Sequence, residues 1–331
     1  MRMILFSDVH LNEDSADVVL GKVLPGLRES AVQSRISQLA MLGDFWHVRY
    51  RVDVRIQNAL KDELRAWADA GLELRVLPGN HDQVDRSGRN ALEVFDEMRN
   101  VRVFTEPDVD GDGFWIPYRK RASDVQAILD RFQSQHMTRV CFAHVAIKGA
   151  LMNDARADTD GLPADLFQNF CSVIMGHYHK RQTWVHGSTR FVYVGSVREV
   201  TLNEAGQDKG YAVWDGSALS WVTTDWAPRI HKLEVRAGQS LDLSGIRPGD
   251  DVRVTAGPNV NIEELGKALE AMQVRHTVTP EVQATQLRLD VGAGASMEQY
   301  AQAFVDRVAS EGADKERLMS VYRAITQKVT A

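Results

Sequence analysis

An α/β core whose sheets are covered on their outer faces, followed by a small α+β domain and a pair of C-terminal helices, is the fold class predicted by this 331-residue sequence. Three observations predict it. Short apolar runs at 3–7, 38–42, 72–77, 139–142 and 172–175 each stop at a polar cluster, the pattern of strands buried on both sides. Helical periodicity lies between them. Beyond residue 228 the texture changes to mixed strand and helix, then to helix alone.

In chain order, 3–7 (MILFS) and 38–42 (QLAML) read as the first two strands. Ile56, Leu60, Leu64 and Trp67 then recur at helical spacing over 54–70. After the third strand, Val125, Ile128, Leu129 and Phe132 share one face of a helix over 122–134. Past Gly176, the stretches 182–186, 190–194, 211–214 and 219–223 are separated by Gly, Ser and Asn turns and suggest an antiparallel meander. Strands at 231–235, 251–255 and 286–290, with a helix over 261–273 carrying Ile262, Leu265, Leu269 and Met272, make the small α+β domain. Amphipathic helices over 296–310 and 314–329, joined at Gly312, close the chain. The expected domains are therefore 1–228, 229–294 and 295–331.

Composition excludes several classes. Apolar residues are 44% and charged residues 25%, as in ordinary globular chains and unlike disordered or collagen-like ones. Two cysteines, Cys141 and Cys171, make no disulfide framework and fit a reducing cytoplasm. No apolar run reaches the length of a membrane span, and the opening stretch turns polar too soon for a signal peptide. A net charge of −6 argues against a uniformly basic nucleic-acid binder, though not against a local basic groove.

The chemistry lies at the polar ends of the strands. Asp8-Val9-His10 follows the first strand, and Gly43-Asp44 with His47 follows the second. Gly79-Asn80-His81-Asp82 follows the third, His144 the fourth, and Gly176-His177-Tyr178-His179 the fifth. Residues two apart on an extended chain share a side, which pairs Asp8 with His10 and His177 with His179. Carboxylates, imidazoles and one amide oxygen suit divalent Mn, Fe or Zn, and the lack of thiolates argues against a structural zinc knuckle. The seven candidates Asp8, His10, Asp44, Asn80, His144, His177 and His179 are too many for one tetrahedral ion. Two ions about 3.5–4 Å apart, sharing one carboxylate, would use them all, and Asp44 is the natural bridge. The glycines before Asp44, Asn80 and His177 are read as allowing sharp turns.

These motifs, in this order, resemble those of the calcineurin-like metallophosphoesterase superfamily. The resemblance implies two facing mixed sheets with flanking helices and two metals at one rim. It implies one metal on Asp8, His10, Asp44 and His179, and a second on Asp44, Asn80, His144 and His177. It further implies His81 as the general acid and water activated between the metals as the nucleophile. Manganese is the expected metal, with Mg, Fe or Zn as alternatives.

Within that superfamily, His47 resembles the extra histidine of DNA-repair nucleases of the SbcD, or meiotic-recombination-eleven, type, in a phage or bacterial form. Tyr193-Val194-Gly195-Ser196 and Lys209-Gly210 resemble the same group's closing strands. The second motif lacks the Arg-Gly expected of protein phosphatases. The resemblance implies a two-metal DNA exonuclease, with endonuclease activity, serving end processing, recombination or repair. Its partners would be DNA, an SbcC-type coiled-coil ATPase gripped by the terminal helices, and a second copy of the chain through 54–70 or 90–98. The apolar stripe of the terminal helices would equally suit packing on their own domain. Arg49, Arg51, Arg55, Arg86, Arg89, Lys148, Lys180 and Arg181 follow the motifs and would line a DNA path, with Trp46 and Tyr50 as stacking aromatics. An ordinary solvated surface is the alternative for these, and Arg119-Lys120-Arg121 has no placement. The competing function is a small-molecule or nucleotide phosphodiesterase capped by the C-terminal segment.

Overall fold

Strand residues that are apolar on both faces must be covered on both faces, and the computed structural model of the chain shows how. It describes residues 2–48, 51–84, 89–111, 113–133, 139–154, 156–239, 242–281, 296–308 and 314–329. Elements run in the order β1 (Met3–Phe6), α1 (Ala16–Val18), α2 (Leu24–Gln33), β2 (Gln38–Met41), α3 (Val54–Asp69), β3 (Glu73–Val76), β4 (Val101–Val103), β5 (Asp108–Asp110) and β6 (Gly113–Ile116). They continue with α4 (Ala122–Gln133), β7 (Val140–His144), β8 (Ser172–Gly176), β9 (Gln182–His186), β10 (Thr189–Tyr193), β11 (Gly210–Trp214) and β12 (Leu219–Thr223). The rest are β13 (Ile230–Val235), β14 (Asp251–Ala256), α5 (Ile262–Ala271), β15 (Arg275–Pro280), α6 (Met297–Val308) and α7 (Lys315–Val329).

Two six-stranded sheets carry the core, in the orders β12-β11-β1-β2-β3-β4 and β5-β6-β7-β8-β10-β9. β1 through β4 pair in parallel, and β11 adds antiparallel to β1. Alternate residues of β1 serve different layers. Met3 and Leu5 join Phe142, Ile174 and Trp115 between the sheets. Ile4 and Phe6 join Leu60, Leu64 and Trp67 of α3 on the outer face. A matching outer cluster puts Val125 and Leu129 of α4 against Phe191 and Met175 of the second sheet. This is the covered two-sheet sandwich with flanking helices. The stripe of α3 is thus spent in the chain's own core, which leaves Val54 and Val94 as the exposed large hydrophobics of the two stretches considered as dimer faces.

The expected meander after Gly176 is corrected: its strands form two hairpins that part company. β9 and β10 extend the second sheet beside β8, while β11 and β12 return to the first beside β1. The segment between β10 and β11 crosses from one sheet to the other, a topological choice that local turn chemistry does not encode. The helical stretch over 16–33 and strands β4, β5 and β6 had no counterpart in the sequence reading.

A third sheet, in the order β13-β14-β15, packs its own cluster of Val235, Val252, Val254 and Leu269. Asn261 caps α5 by accepting from Glu264 N at 3.2 Å. The expected strand at 286–290 lies outside the described residues, as does Gly312. The chain divides into two compact units, Met1–Thr279 and Pro280–Ala331. The second holds α6 and α7, which pair through Arg323 and Glu298 at 2.6 Å. Among the described residues no helix is long and apolar enough to cross a membrane.

Candidate metal centre

The loops that follow β1, β2, β3, β7 and β8 meet at one rim because neighbouring strands of each sheet deliver them there. Backbone bonds stitch the first two together: Asp8 N donates to Gly43 O at 3.0 Å and His10 N to Asp44 O at 3.1 Å. The backbone is strained where it matters. Asp8, His10, Asp44 and His177 all have positive φ (52°, 49°, 57° and 108°), a region that costs free energy for residues with a Cβ.

The turns expected at the motif glycines are present at two of the three. Gly43 has φ +99° and makes a turn. Gly79 opens the 79–82 turn without a positive φ, Asp82 N donating to its carbonyl at 3.2 Å, whereas Gly176 ends β8; what requires glycine at both is closeness. A Cβ on Gly79 would lie 2.2 Å from Asp44 Oδ1, and one on Gly176 would lie 2.0 Å from Ser7 Oγ.

All seven candidate ligands come together, in two groups. Asp8, His10 and His179 form one, with His179 Nε2 3.1 Å from His10 Nε2 and 3.7 Å from Asp8 Oδ1. Asp44, His144 and His177 form the other. Asn80 Oδ1 joins it, 3.2 Å from His144 Nε2 and 2.9 Å from His177 Nδ1. Asp44 belongs to both: Oδ2 is 3.8 Å from His10 Nε2 and Oδ1 is 3.5 Å from His144 Nε2.

The tautomers follow from the outer partners. His144 Nδ1–H donates to Leu42 O at 2.7 Å, and His179 Nδ1–H donates to Glu204 Oε1 at 2.8 Å. Each therefore turns an Nε2 lone pair inward. The Asp8 Oδ1 atom is buried and has no hydrogen-bond partner, an arrangement that costs free energy unless a cation satisfies it. Imidazole nitrogens, an orphaned carboxylate oxygen and an amide oxygen gathered at one rim fit divalent cations.

Electrostatics separate the two aspartates. Burial raises the Asp8 pKa more than the nearby histidines lower it. Burial would raise Asp44 as well, but His144, His10 and His81 outweigh it and hold its carboxyl well below the usual range. His144 responds in kind: burial opposes its charge, yet Asp44 and Asp8 lift it to about 9. His177, buried and beside His144, is pushed down to about 3.

His81 and His47 sit at the edge of the first group. His81 N donates to Asp44 Oδ1 at 2.8 Å, and its Nδ1–H donates to His47 O at 2.9 Å, which leaves Nε2 as the nitrogen that can take up and pass on a proton. His47 Nδ1 lies 3.3 Å from His10 Nδ1, so His10, His47 and His81 make a third cluster of imidazoles.

Several supporting residues went unassigned in the sequence. Glu204, in a capping box with Thr201, accepts from His179, Ser196 and Lys209. Burial would raise its pKa, but His179 and Lys209 hold it far below the ordinary value. Lys209 also donates to His179 O at 2.9 Å, which explains the Ser196 and Lys209 of the closing strands. Arg198 donates to Val9 O and His10 O and pins the first motif. Asp82, fully buried, accepts from Phe45, Trp46 and Gly79 N–H groups and ties the second motif to the third. Burial and the Asp44 charge raise it to about 7. Its place in GNHD was the available signal.

The basic residues are mostly engaged. Arg51 lies 3.8 Å from Glu13, Arg55 2.7 Å from Asp53 and Arg89 3.1 Å from Glu93, and Lys180 pairs with Asp154. Such exposed pairs are weak and exchangeable. Arg181 is tied to β12 through Val222 O and Thr223 Oγ1, both at 3.0 Å. Lys148 is exposed. Arg119 pairs with Glu106 and Arg121 with Asp124. Trp46 is only 3% exposed, so it is no open stacking platform. Arg49, Tyr50 and Arg86 lie outside the described residues.

The profile of the calcineurin-like phosphoesterase superfamily domain matches residues 1–217. No curated protein sequence matches the chain. Among solved structures, the chain is similar to a dimetal phosphatase from Danio rerio, at 12% identity over 64% of this chain and 91% of that one, with a TM-score of 0.40. It is similar also to GAP50, the anchor in the inner membrane complex of Plasmodium, at 10% identity over 64% and 80%, with a TM-score of 0.41. A predicted phosphoesterase from Streptococcus pneumoniae aligns at 15% identity over 64% and 80%, with a TM-score of 0.28.

Proposed function

The chain belongs to the calcineurin-like phosphoesterase superfamily, and from that premise we propose that it is a two-metal phosphodiesterase that cleaves DNA. Metal-dependent hydrolysis of a phosphoester is the superfamily's chemistry; DNA as substrate is our reading. The observation that carries it is His47. The third residue after Asp44 packs its imidazole against His10 and offers its carbonyl to His81, which makes it part of the site rather than a loop residue.

Asp8, His10, Asp44 and His179 would hold one cation, and Asp44, Asn80, His144 and His177 the other. Divalent cations there supply Lewis acidity toward a phosphoryl oxygen and toward the attacking water. Asp44 offers one oxygen to each group and sets their spacing. Glu204 and Leu42 O fix the imidazoles that face inward. His81, oriented by the His47 carbonyl, hands a proton from Nε2 to the leaving oxygen.

The same reading assigns partners. Met297, Phe304, Leu318 and Val321 of α6 and α7 are exposed apolar side chains, which suits a helical pair that grips the coiled coil of an SbcC-type ATPase. A homodimer and manganese complete the proposal.

The test is cleavage of end-labelled single- and double-stranded DNA by the purified chain, in Mn²⁺ and in EDTA, beside Asp44→Asn. Manganese-dependent loss of label, absent in the variant, is the expected result. Hydrolysis of a nucleotide ester with both DNAs untouched would replace the nuclease with a small-molecule phosphodiesterase.

A further inference from the structure

The two ligand groups are supported from different parts of the fold. Supports of the second lie within the sandwich: Leu42 O takes the His144 Nδ1–H, and the His81 N–H reaches Asp44. Two supports of the first lie on the segment between β10 and β11. There Arg198 donates to Val9 O at 3.0 Å and to His10 O at 2.8 Å, and Glu204 accepts from His179 Nδ1 at 2.8 Å.

Glu199 ties these two supports to each other and to the third sheet. Its backbone carbonyl accepts from Arg198 Nη1 at 3.2 Å. Its side chain is buried, and Oε1 accepts from Gly206 N at 2.9 Å, which closes the loop that carries Glu204. Oε2 accepts from the N–H of Ile230, the first residue of β13. That strand start is fixed in turn to β14, where Ile230 is in register with Asp251 and Asp251 N donates to Arg229 O at 2.9 Å. Burying a carboxylate costs free energy unless donors complete it. Here one donor comes from the loop behind His179 and the other from the third sheet.

We propose that Glu199 is a positioning residue for the cation of the first group, and that the third sheet, through Ile230, bears on that cation and not on the other. The proposal rests on reading the two groups as cation sites and does not depend on DNA as the substrate. A shift at the start of β13 moves the Glu199 carboxylate, and with it the Arg198 and Glu204 that hold His10 and His179. Leu42 and His81 stay in place.

Isothermal titration of the full chain with Mn²⁺ tests it, beside two variants that cut the link from opposite ends. Ile230→Pro removes the donor at a strand start, where proline is tolerated, and leaves every ligand and outer partner unsubstituted. Glu199→Gln keeps the side-chain volume and turns one acceptor into a donor. Both weaken one of two Mn²⁺ steps by about two- to tenfold, below the roughly 10–100-fold of a direct outer partner, and leave the other step unchanged. Glu204→Gln weakens the same step. Amide exchange in EDTA gives a reading without metal: the Gly206 N–H loses protection in Ile230→Pro. If Ile230→Pro does not fold, Glu199→Gln carries the test. Unchanged Mn²⁺ steps in the folded variants overturn the role, even where Gly206 loses protection. Equal loss at both steps also overturns it, because a general loosening of the fold gives that result. An unsubstituted chain that takes up no Mn²⁺ loses the two-cation reading itself, and the role falls with it.

Discussion

Among the described residues four aspartates are buried almost completely, and two of them, Asp8 at the candidate metal rim and Asp250 beside the third sheet, are buried in opposite ways. Asp250 has a full set of partners: the N–H groups of Arg229 and Arg247, and His231 Nε2, all at 2.9 Å. Burial would raise its pKa, but those donors outweigh burial and lower it. Asp8 accepts from His177 N at 3.1 Å through one oxygen and leaves the other unpaired, and burial wins. A completed socket stabilises a fold. An incomplete one, held by strained backbone, is kept for something that binds there.

Substitutions can break or sharpen that contrast. The largest effect is expected at Asp44, which both groups share. Asp44→Asn abolishes DNA cleavage and lowers bound metal at both positions, read by label release and elemental analysis. Retained stoichiometry of two would break the shared-carboxylate reading. His81→Gln comes next: metal content stays, while kcat falls by about 10²–10⁴-fold, the range for a lost general acid. Glu204→Gln acts through His179 and lowers metal affinity or activity by about 10–100-fold, as second-layer partners of ligating histidines do. The ion held with His179, Asp8 and His10 should bear that loss.

The smallest effects bear on the contrast itself and are read by urea unfolding in EDTA. Asp250→Asn lowers stability by about 1–3 kcal/mol, because donors lose a charged acceptor. Asp8→Asn leaves the metal-free fold as stable or more so, because a buried charge with an orphaned oxygen is removed. Their pH slopes oppose. The lowered Asp250 contributes stability fully above the ordinary aspartate value of about 3.9, and this is lost as pH falls through its folded value. The raised Asp8 imposes its penalty fully above its folded value and sheds it as pH falls toward the ordinary one. Parallel slopes for the two substitutions would end the comparison.

The strands that carry ligands were legible because β1, β2, β7 and β8 are largely apolar on both faces, β3 alternates Leu74 and Val76 with Glu73 and Arg75, and all five stop at polar motifs. The seven ligand candidates were legible for the same reason. β4 and β5 were not, being three residues each, too short to show a period. The parting of the two hairpins was hidden because sheet membership is decided by contacts distant in the chain. Glu204 was hidden because a lone carboxylate in a polar loop looks the same whether it points to water or to His179. The closeness that requires glycine at 79 and 176 was hidden, since only packing reveals what a missing Cβ makes room for.

The pairing of β1 with β11 also sets a clock. Leu5 lies beside Ala212, so β1 is synthesised roughly 200 residues before its antiparallel neighbour exists. At ribosomal speeds of 5–20 residues per second, that interval is about 10–40 s. During it Asp8 and His10 lack first His179 and then Glu204, and β1 is an open edge that must stay out of trouble until the chain returns to cover it. A nascent chain therefore has no assembled candidate centre, and the phosphoesterase site is complete only when the last strands of the sandwich arrive.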